Sequence, residues 1–306
     1  MENRDNKVDV SIIIVSYNTK ELTVNCIQSI IHNTKDVNYE IIVVDNSSSD
    51  GSLDVINSKF PTVNTINSKE NLGFGRANNL ASQYSKGKYL FFLNSDCILI
   101  ENVIKKMLDY FESQNNSNNK IGAVGCVLLD KNYNINISYN YFPTPLNQIK
   151  HRIIDLSNKI FKTNFKPKKR SNYKLDKSGE VDFISGADLF IPKEIFTCLK
   201  GFDQSFFLYY EETDLQKRMA KNSFKRIILE DANLIHLEGG STPRKLSSLT
   251  IFLNSEFKYM RKHNPAIVYV FYYIIMSILL MPILFVKSHS KKDKKEFLKM
   301  IASSIS

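Results

Sequence analysis

The sequence predicts an α/β fold, a sheet flanked by helices, and three apolar runs carry that expectation: residues 10–16 (VSIIIVS), 39–45 (YEIIVVD) and 88–94 (KYLFFLN). Runs this rich in Ile, Val, Leu and Phe suit strands buried on both faces, as parallel strands are. Between them, residues 21–31, 53–60 and 76–85 space their apolar positions as helices do, the last ending at Gly87. Such strand-helix repetition is the mark of a sheet with helices on both faces. Composition agrees, since 306 residues with 43% hydrophobic and 24% charged content support a buried core and exclude a wholly disordered chain.

In order along the chain, residues 1–9 are polar and charged, so the fold starts at Val10. After the first three strands and their helices, 113–119 reads as a polar Asn/Ser loop and 121–129 as a further strand. Residues 161–178 are basic and short of aliphatics, the pattern of a mobile insertion, and order returns over 181–191. A helix is expected over 211–221, a strand over 224–229, and a helix over 246–263 that Pro265 ends. One domain over 1–245 and a C-terminal helical, membrane-associated region over 246–306 follow.

The net charge of +10 lies largely late in the chain, in Lys162 to Lys174 and again in Lys287 to Lys295, directly after an apolar run. Residues 266–286 carry no charge and meet the roughly 20 residues a transmembrane helix needs. Basic residues flank both ends, so the positive-inside rule assigns no orientation, and span and interfacial hairpin stay open. A basic cluster beside an apolar run points to lipid headgroups. The basic residues form no nucleic-acid-binding motif, so no nucleic acid is expected as a partner. Four scattered cysteines without a Cys-x-x-Cys pair, and no secretory leader, indicate a reduced, cytosolic setting.

In open α/β sheets ligands gather beyond the carboxyl ends of the strands. There the sequence places Tyr17 and Asn18, then Asp45 to Asp50, then Asn94-Ser95-Asp96. Asp45 ends a strand beside a helix N-terminus and is suited to accept hydrogen bonds from a base or ribose, whereas Asp50 reads as a cap for the next helix. In Asn71 to Asn79 (NLGFGRANN), Gly73 and Gly75 permit a tight turn and Arg76 is placed to meet a phosphate; the third glycine of a dinucleotide fingerprint is missing. Asp96 offers a hard oxygen ligand on a rigid strand end, and Asn94 only a neutral carbonyl. Farther on, Glu211, Glu212 and Asp214 follow a run of aromatics that would desolvate them and raise one pKa toward that of a general base. His236 in His236-Leu237-Glu238-Gly239-Gly240-Ser241 is a second candidate metal ligand.

Taken in order, these pieces resemble glycosyltransferase family 2, in particular its bacterial rhamnosyltransferase-like branch, over residues 10–241. The resemblance implies the GT-A fold, a Rossmann-like mixed sheet flanked by helices. It also implies an inverting, metal-dependent hexosyltransferase that moves rhamnose or a similar hexose from a dTDP- or UDP-linked donor to a glycan, lipid-linked in the expected case. The work would be cell-surface polysaccharide synthesis at the cytoplasmic face of the cell membrane. Tyr17, Asp45, Asn71 and Gly73 would line the nucleotide pocket with Arg76 and Asn94, and Asp96 would be the acid of the family's Asp-x-Asp element. His236 would join Asp96 on Mg²⁺ or Mn²⁺. Gly186, Ala187 and Asp214 would border the substrates, and Glu212 falls at the family's catalytic base with Glu211 as the alternative. Two departures stand out: Asn94 replaces the first acid of Asp-x-Asp, and the base is Glu instead of Asp. A non-catalytic nucleotide-sugar-binding or scaffolding member of a polysaccharide assembly complex is the rival reading.

Overall fold

The computed structural model describes residues 7–114, 120–163, 178–237, 246–286 and 289–305. They form two compact units, one joining residues 1–141, 170–207 and 211–240, the other 142–169, 208–210 and 241–306.

The first unit begins β1 (Val10–Ser16), α1 (Lys20–Asn33), β2 (Tyr39–Asp45), α2 (Ser52–Lys59), β3 (Asn64–Asn67), α3 (Phe74–Tyr84) and β4 (Tyr89–Asn94). These four strands pair in parallel. The strand repeat of two splits each run between the sheet's faces. Ile12, Ile14, Val43 and Phe91 enter one core, while Ile13, Val44, Leu90 and Phe92 enter the other. That two-sided burial is why the runs are apolar almost without interruption.

Next come β5 (Cys97–Leu99), α4 (Val103–Gln114), β6 (Ile121–Leu129) and β7 (Tyr139–Asn140). Past α5 (Pro145–Phe161), which belongs to the second unit, follow β8 (Gly179–Glu180), β9 (Phe183–Ile184), β10 (Asp188–Pro192), α6 (Lys193–Cys198), α7 (Glu211–Lys221) and β11 (Lys225–His236). The main sheet runs β3-β2-β1-β4-β10-β6-β11-β5, with β8 also on β11. It is mixed, because β10 lies antiparallel to β4 and β6.

Several sequence expectations are refined here. The segment 181–191 is two strands separated by a turn at 185–187. The strand expected at 224–229 continues to His236 through an irregular step between Leu229 and Asn233. There Asn233 turns its backbone N–H to Glu101 Oε1 at 2.6 Å. This extension carries His236 to the sheet edge. Of the basic insertion, 164–177 lies outside the described residues, as do 115–119 of the polar loop.

The second unit contains α5, α8 (Leu246–His263), α9 (Ala266–Leu280), which continues into a 3-10 turn at Met281–Phe285, and α10 (Lys291–Ser303). Residues 142–163, within the 1–245 expected as one domain, pack with the C-terminal helices. The start of α5 has a local cause: Thr144 Oγ1 accepts the Asn147 N–H at 3.3 Å and Pro145 occupies the first turn, a standard helix start.

Candidate active site

Parallel pairing sets Ser16 opposite Asp45 and Val15 opposite Asn94, so the ends of β1, β2 and β4 form one rim of the sheet. Because β10 runs the other way, its start reaches the same rim, where Ala187 C=O accepts the Asn94 N–H at 2.9 Å. β11 closes the group through its antiparallel pairing with β5, which sets His236 opposite Cys97. His236 Nε2 then stands 3.2 Å from Asp96 Oδ1 and 3.5 Å from Asn94 Nδ2, and Leu237 N–H donates to Asp96 C=O at 3.0 Å. Residues from three distant stretches thus meet at one point.

A carboxylate oxygen and an imidazole nitrogen this close form a donor set that fits a divalent cation, and a mixed oxygen and nitrogen pair suits Mn²⁺ better than the oxygen-seeking Mg²⁺. Two protein ligands would leave coordination positions open to oxygens of a bound molecule. Cys97 Sγ also lies within 4.8 Å of both ligand atoms. It is fully buried and turned to Ala187 C=O at 3.5 Å, so it belongs to the core.

The neighbouring loop is organised by Asn46, a residue that carries no sequence motif. Directly after β2, it donates to Asn71 Oδ1 at 3.0 Å and to Gly73 C=O at 3.2 Å, and accepts Leu72 N–H at 2.8 Å. Asn71 in turn accepts the Gly73 N–H at 2.9 Å. Beside them Asp45 is buried, with Oδ2 taking the Ser48 N–H at 3.1 Å and Oδ1 without a hydrogen-bond partner among the described residues. A buried, unsatisfied carboxylate oxygen is costly unless a ligand N–H or O–H completes it. Asp50 takes N–H groups from Lys20 and Ser52, and its carboxyl is held below the usual range first by the Ser52 hydroxyl, as befits a helix-start residue.

Gly73 has φ +79°, and a Cβ there would lie 2.0 Å from the Phe207 carbonyl oxygen, which already accepts the Phe74 N–H. Only glycine fits both the left-handed backbone and the close approach. Gly73→Ala is therefore expected to lower stability by about 2–3 kcal/mol, read as a lower urea midpoint at unchanged slope. An unchanged midpoint would show that the loop does not need this contact.

α7 brings the acids. Gln216 Oε1 accepts the Ile184 N–H at 2.7 Å and Gln216 Nε2 donates to Ile184 C=O at 2.9 Å, so the helix is clamped to the chain entering the 185–187 turn. One turn earlier, Glu212 lies against Gly186, where an added methyl would sit 3.2 Å from Glu212 Cγ. Burial pushes the Glu212 carboxyl above the ordinary glutamate value. Glu211 is buried the other way, with Gly75 against its Cβ. Gly186→Ala should displace the Glu212 side chain by a few tenths of an ångström and lower kcat by about tenfold with little change in donor KM, given how steeply rate depends on alignment. Steady-state kinetics with the donor varied reads this directly.

Two further candidate residues have partners within the protein. Asp214 is fully buried and pairs with Arg218 at 2.9 Å, and Arg218 also donates to Gly201 C=O at 2.8 Å. Its carboxylate is engaged in holding α7, a packing reason for an acid at this position. Arg76 is exposed and its Nε donates to Gln204 C=O at 2.8 Å, along the loop leading to Phe207. Tyr17 stands 48% exposed at the end of β1, open to a planar ligand. Of the His236 to Ser241 stretch, residues 238–241 lie outside the described residues.

Comparison with known proteins agrees with this architecture. The sequence profile of the family described as glycosyl transferase family 2 matches residues 11–174. Rhamnosyltransferase WbbL of Escherichia coli strain K12 is 29% identical over 219 residues, 69% of this chain and 76% of its own. The Escherichia coli UDP-Glc:alpha-D-GlcNAc-diphosphoundecaprenol beta-1,3-glucosyltransferase WfaP is 34% identical over 106 residues, 34% of this chain and 42% of its own. Two further relatives are matched over only 28% and 19% of their length. Among solved structures, GalNAc-T7 with UDP, GalNAc and Mn²⁺ superposes with a TM-score of 0.56 at 16% identity, covering 82% of this chain and 48% of that one. This last likeness is one of fold.

Proposed function

Because the chain belongs to glycosyltransferase family 2, an inverting family, we propose that it transfers a hexose, rhamnose or a close relative, from a dTDP- or UDP-linked donor to a lipid-linked glycan in surface polysaccharide synthesis. The placement of Glu212 against the 185–187 turn, one residue from the Ala187 that binds the Asn94–Asp96 strand end, is the observation that carries this reading. On this reading a desolvated carboxylate would lie beside the diphosphate of the donor.

In the proposed reaction an acceptor hydroxyl gives its proton to a Glu212 carboxylate oxygen while its own oxygen bonds to the anomeric carbon. The bond from that carbon to the diphosphate breaks, and the nucleoside diphosphate leaves with the electron pair. One displacement from the far face inverts the centre. Asp45 and the Asn46-held loop around Asn71 would take the nucleoside, and the exposed Tyr17 ring would cover it. A divalent ion at Asp96 and His236 would neutralise charge growing on the diphosphate. Relatives support the acceptor class: WfaP is named for a diphosphoundecaprenol-linked acceptor, and a Mycobacterium tuberculosis relative is named an N-acetylglucosaminyl-diphospho-decaprenol L-rhamnosyltransferase. Such acceptors would place the enzyme at the cytoplasmic face of the membrane.

The test presents dTDP-, UDP- and GDP-sugars in turn with a diphosphate-lipid-linked GlcNAc acceptor and weighs the products by mass spectrometry. One donor should yield a product heavier by a hexose or deoxyhexose residue, with inverted anomeric configuration by NMR. Donor binding without transfer or hydrolysis across the panel would leave a binding protein in its place.

A further inference from the structure

The second unit presents an apolar face that its own helices leave uncovered. α9 buries Tyr269, Tyr272, Met276 and Leu280 along one side, whereas Ile267, Phe271 and Ile278 on the other are 63%, 61% and 65% exposed. At about 100° per residue the two sets point in opposite directions, and Val268, Val270, Ile274 and Ile275 widen the outward set to an arc of roughly 160°. α5 packs on α9 and adds exposed Leu146, Ile153 and Ile160 at a seven-residue spacing. Exposed apolar surface on this scale marks an interaction site.

Charge indicates what covers it. Arg261 and Lys262 at the end of α8 are exposed just before α9, and Lys291, Lys292, Lys295 and Lys299 are exposed on α10, where Glu296 is the exposed acid. Asp293 is partly buried and bonded to Ser290, the cap of the same helix. A wide apolar arc on a helix that exposed cations precede and follow in the chain matches acyl chains beneath anionic headgroups.

The inward side of α9 argues against a crossing. Tyr272 OH donates to Glu256 of α8, Tyr269 OH to Ser304 C=O, and Tyr273 OH to Ile301 C=O at 3.1 Å. Glu256 is itself buried and also takes Tyr210 OH at 3.3 Å. A span would either break these bonds or draw α8, with Glu256, Lys258 and Arg261, into hydrocarbon, where charges are rare and costly. α9 with its 3-10 continuation, Ala266–Phe285, is long and apolar enough to cross a membrane, so these bonds, and not length, argue for a helix lying in the plane.

We propose that α9 and the adjoining outward face of α5 lie in the plane of an anionic lipid bilayer, the apolar arc among the acyl chains and the lysines of α8 and α10 at the headgroups, without crossing it. The proposal stands on the second unit alone and does not depend on the catalytic reading.

Flotation of the full chain with vesicles tests it. The chain should rise with vesicles of phosphatidylcholine and phosphatidylglycerol in equal parts, and bind pure phosphatidylcholine about tenfold less. Phe271→Ser and Ile278→Ser, each at a position turned away from the unit's interior, should each reduce binding to the mixed vesicles by about tenfold, with circular dichroism and donor binding unchanged. For topology, single cysteines Lys262→Cys and Lys292→Cys in a Cys198→Ser background are exposed to an impermeant maleimide in inverted membrane vesicles. Both should react without detergent. Failure to float, equal affinity for neutral vesicles, or one site needing detergent would each overturn the proposal. So would a lipid-free dimer that Phe271→Ser dissociates, which would assign the face to a second copy of the chain. Vesicle binding without sugar transfer would leave this inference intact and count only against the catalytic one.

Discussion

Glu212→Gln is expected to keep donor binding and lose transfer by about 10² to 10⁴-fold in kcat, the range a positioned base supplies. The amide keeps the shape of the side chain against Gly186 and its acceptor for the Thr213 hydroxyl, which bonds Glu212 Oε1 at 3.0 Å in the wild type. What it loses is the ability to take a proton. Glu211→Gln offers the contrast: that side chain is buried with its Cβ and Cγ against Gly75, so its replacement should act on stability more than on kcat. The pH profile adds an independent check. A base works only when ionised, and burial raises the Glu212 pKa, so kcat should fall as pH drops through a value above that of an ordinary glutamate. In Glu212→Gln this acid limb should vanish. Near-wild-type turnover, or an acid limb that survives the substitution, would remove Glu212 from the reaction.

Asp96→Ala should abolish any metal-dependent part of donor binding and lower kcat/KM by about 10²-fold or more, since the substitution removes the carboxylate of the pair with His236. Isothermal titration of the nucleoside diphosphate with Mn²⁺ and with chelator reads the first effect. Wild type should bind more tightly with the ion, and the variant equally in both conditions. His236→Ala should move the same readout in the same direction by a smaller step, because a neutral imidazole contributes no charge. Affinity in wild type that is indifferent to chelator would dismiss the ion site while leaving the base assignment standing. Asn94, 3.5 Å from His236, has the position to orient the ring in either case.

Much of the catalytic unit was legible because burial leaves a local trace. The runs ending at Ser16, Asp45 and Asn94 read as strands since each is buried on both sides, and strand ends in such sheets are where ligands bind. Glu211–Lys221 and Leu246–His263 read as helices with the boundaries observed. Harder to see were α4 and α5, whose apolar positions are interleaved with Lys, Asp and Asn, and the short β5, which gains its structure only by pairing with β11. Asn46 left no motif of its own. Its importance lies in three bonds to a loop some 25 residues away, which no local pattern announces.

The sequence by itself determined which polar groups stand at strand ends and which stretch of chain is uncharged and apolar, because both follow from side-chain period and hydrophobic content over a few neighbouring residues. Only the tertiary structure decided that β10 runs antiparallel, that β11 extends to carry His236 to Asp96, that Glu212 and not Glu211 faces the 185–187 turn, and that Asp214 is taken by Arg218. Those outcomes depend on register between segments distant in sequence and on the rotational phase of α7 against its clamp at Gln216. A shift of one residue in either would turn a different side chain to the rim, with hardly any change in the local pattern from which the elements are read.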